Sequence, residues 1–421
     1  MTFRIVRDPV VAEEVWLATT SKGLRLRVLP RPHLRETAAV ISFAYGSTDV
    51  AFDDGSGFVT SPFGTAHYLE HKLFEDEELA VFQRFSARGA RVNAQTGFTR
   101  TTYFFQSASA VEDNLRDLLR LVGKPHVTAQ NVEKERGIIA QEVRMYEDSP
   151  DHGLVFSLLA AMYGEHPVRA TVGGTVASIG EITAEGLLRA YSAFYRTGNA
   201  AIAVAGPVDP EMVLRLCEDC ELAPGGPPVR AKIADFGPPA VVRTERTMGV
   251  ARTKLMLGLK ERVEATTYLE RAQRAAASGV VLDRLFAGSS EVRESLHQRG
   301  LVDDTLGAGY MGERTFGLAT IGCDTEDPGR AEAALREALR SPVDFDDEQL
   351  ERLRRRVLGG FVRSCESVRA LAFHHAAEEL DGAEPFSALS VLASMRPTDV
   401  ASRCRELVLD ENIAVAIAHR R

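Results

Sequence analysis

The stretch Thr65–Glu78, "TAHYLEHKLFEDEE", sets two histidines four residues apart with a glutamate between them. On a helix, His67, Glu70 and His71 fall at i, i+3 and i+4. They then share one face, and both imidazoles reach one point with the carboxylate beside them. Imidazole nitrogen suits zinc, and a catalytic zinc site takes three protein ligands with one position left open. A carboxylate next to such a site can take the proton of a water that attacks a carbonyl. The spacing supplies two candidate ligands and a candidate base, and it lacks a third ligand. The acids behind, Glu75, Asp76, Glu77 and Glu78, read as a solvated helix end.

The third ligand is sought downstream in "NVEKERGIIAQEVRMYED", residues 131–148. Glu135 and Glu142 stand seven apart, two helical turns along one face. Ile138, Ile139 and Val143 give this helix an apolar stripe that can pack against the first. A glutamate from a separate helix would complete a His/His/Glu set.

Around these two helices the chain alternates in a pattern that occurs twice. In the first half "TAAVISFAYGSTD" reads as a strand, the histidine helix follows, and "GARVNAQTGFTRTTYFFQSA" reads as a turn into alternating strand. In the second half "TKLMLGLKE" reads as a strand, "YLERAQRAAASGVVLDRLFAG" as a long helix and "FGLATIGCD" as a strand. Helices then fill each half, among them the run "DDEQLERLRRRVLGGFVRSCESVRALAFHHAAEEL". Each half closes on a strand, "NAAIAVAG" and "NIAVAIAH". Between the halves lies the Pro/Gly-rich "LAPGGPPVRAKIADFGPPAVV". The expected fold is α+β, with two tandem homologous domains, each an antiparallel-rich sheet with helices on one face. The expected boundaries are 1–222, a linker at 223–241, and 242–421.

Bulk properties agree with a soluble globular chain. At 421 residues it is too long for one core, and 45% hydrophobic and 26% charged residues are near the globular average. A net charge of -9 argues against nucleic acid or an anionic membrane as the main partner. The N-terminus has no signal-peptide pattern, and no apolar run approaches about 18 residues, so a cytoplasmic location is expected. Five cysteines do not make a disulfide framework. Cys217 and Cys220 form "CEDC", a possible redox pair or half a zinc site, but the surrounding stretch reads as a helix end running into the linker.

The motifs together resemble the pitrilysin/insulinase/mitochondrial-processing-peptidase family of zinc metallopeptidases, whose signature is H-x-x-E-H. "GTAHYLEHKLFE" resembles its helix of zinc-binding histidines, and "GARVNAQTGFTRTTYFF" its following "NA-x-T … T-x-Y" strand. "ERGIIAQEVRMYEDSPDHG" resembles the helix with the distal zinc glutamate. "YGEHPVRATVGGTVASI" and "FYRTGNAAIAVAGPVDPE" resemble the segments that follow. The resemblance implies that zinc is bound by His67, His71 and Glu142, that Glu70 is the general base, and that Glu135 orients a ligand. It also implies that Asn93 and Ala94 lie on an edge strand that pairs with an extended peptide.

One part departs from the family. Active members carry an arginine and a tyrosine in an "L-R-x-K-x-x-L-x-Y"-like stretch of the second domain, and the tyrosine is assigned to the developing oxyanion. Here the matching stretch is "LHQRGLVDDTLGAGY", with His297 near the arginine position and Asp303 near the tyrosine. An ionised aspartate would repel an oxyanion, and losing one donor costs about 10²–10³ in rate. Three explanations stand. Tyr310, Arg299 or Arg314 serves in a shifted register, with Tyr310 as the candidate oxyanion donor. Alternatively the chain is a non-catalytic structural or assembly subunit. The favoured explanation is a two-chain enzyme, a heterodimer with a zinc-less homologous subunit that cleaves short or unfolded peptides, in peptide maturation or leader removal.

Overall fold

The computed structural model describes residues 2–8, 13–75, 81–233, 235–262, 264, 267–340 and 346–421. Asp76, Glu77 and Glu78 therefore lie outside the described residues. The strands are β1 Arg4–Asp8, β2 Glu13–Thr19, β3 Arg25–Pro30, β4 Thr37–Phe43, β5 Ala51–Asp53, β6 Phe58–Thr60, β7 Arg91–Thr96, β8 Thr101–Ser107, β9 Ala200–Gly206, β10 Arg243–Met248, β11 Thr253–Lys260, β12 Gly307–Gly312, β13 Gly317–Thr325 and β14 Ile413–Arg420.

They form two large sheets with one shared logic. The first runs β1-β2-β3-β9-β4-β8-β7 and the second β10-β14-β11-β13-β12, while β5 and β6 make a separate hairpin. In each large sheet one pair is parallel, β3 with β9 and β10 with β14, and the other pairings are antiparallel. The final strand of each half sits between two earlier ones, β9 between β3 and β4 and β14 between β10 and β11, which is the repeat expected from the sequence.

Residues 1–143, 171–231 and 359–386 form one compact unit, and 144–170, 232–358 and 387–421 the other. The compact units thus differ from the contiguous expectation of 1–222 and 242–421, because each takes a helix from the other half of the chain. The physical reason lies in the sheets' second faces. Every residue of β4 and β9 is buried, so both faces of the first sheet are covered. Leu26, Val28, Ala39 and Ile41 join the core with the helices of their own half. Arg27, between Leu26 and Val28, meets the helix Val368–Leu380 with ion pairs to Glu378 at 2.8 Å and Glu379 at 2.7 Å. That helix is the second part of the long run "DDEQLERLRRRVLGGFVRSCESVRALAFHHAAEEL", which breaks into Asp347–Ser364 and Val368–Leu380.

The second unit repeats the arrangement. Leu255, Leu257 and Leu259 of β11 face their own helices. A Cβ added at Gly258 would meet Leu158 and Met162 of the helix Pro150–Met162, which packs on β11 and β14. Lys254 bridges to Asp151 at 3.1 Å, and the Tyr163 hydroxyl donates to the Gly317 carbonyl at 2.6 Å. No helix among the described residues is long and apolar enough to cross a membrane.

Candidate metal centre

The histidines lie on the helix Thr65–Leu73 and the distal glutamates on the helix Ala129–Glu147, both as expected. The first helix is anchored by Tyr68, Leu69 and Leu73 in the core. Three side chains then tie it to the second. The Tyr68 hydroxyl donates to the Val132 carbonyl. The Lys72 ammonium donates to the Asn131 carbonyl at 3.1 Å, and His71 Nδ1 meets Glu135 Oε1 at 3.0 Å.

This docking brings His67, His71 and Glu142 together, with one ligand atom of each within 4.8 Å of the others. Glu142 Oε1 is 3.6 Å from His67 Nε2, and its Oε2 is 3.3 Å from His71 Nε2. Both histidines therefore turn Nε2 toward the same carboxylate. The His71–Glu135 hydrogen bond occupies Nδ1, which leaves the Nε2 lone pair to a ligand in the neutral ring. His67 Nδ1 is buried and has no hydrogen-bond partner among the described residues. Two imidazoles and a carboxylate match the donor set of a catalytic zinc site, and the residues fit that metal.

The charges point the same way. Burial alone would lower His71, yet Glu135 and Glu142 hold it up at about 9. Hydrogen bonding to His67, then to His71, holds Glu142 well below the usual carboxylate range. Without another cation, the cluster keeps a proton on imidazole to balance its acids.

Glu70 is on the same helix face, buried, and burial raises its pKa above the ordinary carboxylate value. Its Oε2 accepts a hydrogen bond from Thr96 Oγ1 at the end of β7. The sequence pattern alone assigns no role to Thr96, the threonine of "NAQT". Glu75, read as part of a solvated helix end, is instead half-buried and pairs with the buried Lys72 at 2.7 Å. A buried ammonium on the apolar side of the helix requires such a partner.

Asn93 and Ala94 lie on β7, which is the edge of the first sheet and pairs on one side with β8. Asn93 is exposed, and its Oδ1 accepts from the Ala94 N–H at 2.8 Å. Tyr310 belongs to β12 of the second unit, where its hydroxyl donates to Glu261 at 3.0 Å and the Arg403 guanidinium lies 5.4 Å from its ring centroid. Asp303 is ion-paired with Arg252 and accepts from the Thr305 N–H at 2.9 Å. His297 and Arg299 are exposed. All five cysteines are buried and unpaired.

Comparison with known proteins agrees with this fold. A family model described as insulinase, peptidase family M16, matches residues 50–176. A second, described as the peptidase M16 inactive domain, matches residues 181–357. The chain is 36% identical over 415 residues to YmfH of Bacillus subtilis (strain 168), named an uncharacterized zinc protease, with 96% of each chain covered. A crystal structure described as an M16-like peptidase from Alicyclobacillus acidocaldarius superimposes with a TM-score of 0.91 at 32% identity, covering 100% of this chain and 99% of that one. A protease structure from Helicobacter pylori shares the fold, with a TM-score of 0.81 at 20% identity over 97% and 99% of the two chains.

Proposed function

The chain belongs to the insulinase family of peptidases, M16, and from that premise we propose that it is a zinc metalloendopeptidase subunit acting on short or unfolded peptides. The observation that carries the proposal is the convergence of His67, His71 and Glu142 beside the buried Glu70. His67, His71 and Glu142 would hold the zinc. When bound, zinc supplies Lewis acidity, polarising a carbonyl and acidifying water. Glu135 keeps the His71 ring in the tautomer that offers Nε2. Glu70 takes the proton of the water that attacks the scissile carbonyl and returns it to the leaving amine. Its raised proton affinity suits that exchange, and the Thr96 hydroxyl orients its carboxylate. The peptide lies extended along the free edge of β7 near Asn93 and Ala94, held by main-chain hydrogen bonds.

The second half of the reading is a partner. A tyrosine hydroxyl that already donates to a buried carboxylate has no second proton for an oxyanion, and Tyr310 donates to Glu261. Against burial, hydrogen bonds from Thr305 and then the charge of Arg252 hold Asp303 ionised. Both facts support an oxyanion donor supplied by another chain, in a heterodimeric chamber with a zinc-less homologous subunit in the cytoplasm. Maturation of a peptide, or removal of a leader, fits such a chamber.

The test is cleavage of an unstructured fluorogenic peptide library by the purified chain, alone and with a zinc-less homologue, in parallel with Glu70→Gln. Glu70-dependent cleavage that rises on adding the homologue is the expected result. Full activity of the chain alone would remove the partner and return Tyr310 to consideration. Cleavage that persists in Glu70→Gln would overturn the proposed chemistry.

A further inference from the structure

We infer that the turn at residues 171–175 is a positioning element of the metal centre, clasping the start of the histidine helix by backbone against backbone. The inference rests on the zinc reading above and adds residues that touch neither metal nor peptide.

The histidine helix begins without a side-chain cap, at Gly64 with φ 90°. A Cβ added there would stand 2.5 Å from the Gly173 carbonyl oxygen, closer than real contacts allow. The relation is reciprocal. Gly174 has φ +74°, and a Cβ there would stand 2.5 Å from the Phe63 carbonyl oxygen. Ser178 Oγ donates to that same Phe63 carbonyl at 2.9 Å. Thr65 N–H and its hydroxyl both reach the Pro62 carbonyl, at 3.3 and 2.7 Å, which ties the helix's first turn to the clasped segment. His67 follows within that first turn. Its ring rests against the turn, since a Cβ at Gly173 would lie 3.6 Å from His67 Nδ1.

That last distance separates the two adjacent glycines. At Gly173 an alanine methyl would make ordinary contacts, 3.5 Å to Val143 and 3.6 Å to His67, with no left-handed backbone to strain. At Gly174 and Gly64 the same methyl meets both a carbonyl and a left-handed φ. Gly55, at φ +97° with open space around it, supplies a control that carries the backbone penalty alone.

Zinc dissociation constants by chelator competition test the inference on the full chain. Gly174→Ala and Gly64→Ala are expected to weaken zinc binding by about 10- to 100-fold, the range seen when support of a ligand is lost. Gly55→Ala should stay within about twofold of wild type. Ser178→Ala, which removes the hydrogen bond to Phe63 and the acceptor of the Thr175 N–H within the clasp, should weaken binding by about threefold to tenfold, and it carries the test if the glycine variants do not fold. Hydrogen exchange on the metal-free protein gives an independent readout. Amides of residues 65–71 should exchange faster in Gly174→Ala than in Gly55→Ala. Unchanged zinc affinity in a folded Gly174→Ala, or a loss that Gly55→Ala reproduces, would overturn the inference. Failure of wild type to bind zinc would instead overturn the zinc reading, and the exchange comparison would still decide the clasp.

Discussion

The two units share a five-strand order, and one acid cluster in each is built in the opposite way from the other. In the second, Glu261 is buried and closed by fixed cations, with Arg274 at 2.7 Å, Arg403 on both oxygens, and the Tyr310 hydroxyl at 3.0 Å. In the first, Glu70 and Glu142 face two imidazoles and one hydroxyl, while the buried Lys72 is engaged by Glu75 and a carbonyl. A carboxylate closed by arginine is part of the scaffold. A carboxylate cluster whose cations are only titratable rings leaves a place for an exchangeable ion.

Breaking the closed cluster should cost stability and leave metal binding alone. Arg403→Met removes one of the two guanidinium partners of a buried carboxylate, and the expected loss is about 3–5 kcal/mol. Chemical denaturation should show that loss together with an unchanged zinc affinity. A parallel loss of zinc would mean that the clusters are coupled.

Histidines sharpen the contrast. Carboxylates hold His71 up at about 9, whereas burial pushes His166 of the second unit down to about 4. His166 Nδ1 accepts the Val168 N–H at 3.1 Å, which protonation would forbid. Because its folded pKa lies below the ordinary 6.5, the folded chain binds fewer protons than the unfolded chain between these values. The contribution of neutral His166 is therefore complete above about pH 6.5 and lost as pH falls toward 4, by at most about 3 kcal/mol. His166→Gln should flatten that part of the stability profile measured by urea unfolding. An identical profile for the variant would assign the acid loss elsewhere.

Glu135→Gln probes the open cluster more gently. It keeps a hydrogen-bond acceptor for His71 and removes the charge, so zinc affinity should fall about 10- to 100-fold with little change in metal-free stability. The smallest effect is expected at the cysteines. Cys217→Ala and Cys220→Ala should leave peptide cleavage and zinc content unchanged, since both thiols are buried and burial raises both pKa values. Loss of activity in either would revive the redox reading.

Much of the open cluster was legible because its chemistry is local. H-x-x-E-H on a helix sets its donors on one face, Glu135 and Glu142 lie two turns apart on another, and the choice of Glu142 between them came with the family resemblance. The repeat was also legible, since each half closes on an apolar strand that both faces of its sheet must bury. Which helix covers the second face was not. Periodicity says that Val368–Leu380 has a side to bury, and it does not say against which sheet. That choice depends on Arg27 meeting Glu378 and Glu379 across some 350 residues. Thr96 and Lys72 escaped for a related reason, because their partners are set by how a strand end and a second helix meet the histidine helix.

Zinc per chain, measured by elemental analysis on purified wild type, Glu70→Gln and Glu142→Ala, tests the central claim most directly. The expected result is about one zinc in wild type and in Glu70→Gln, with far less in Glu142→Ala, as a three-ligand site with a separate base requires. Wild type without zinc, or Glu142→Ala with full zinc, would contradict it.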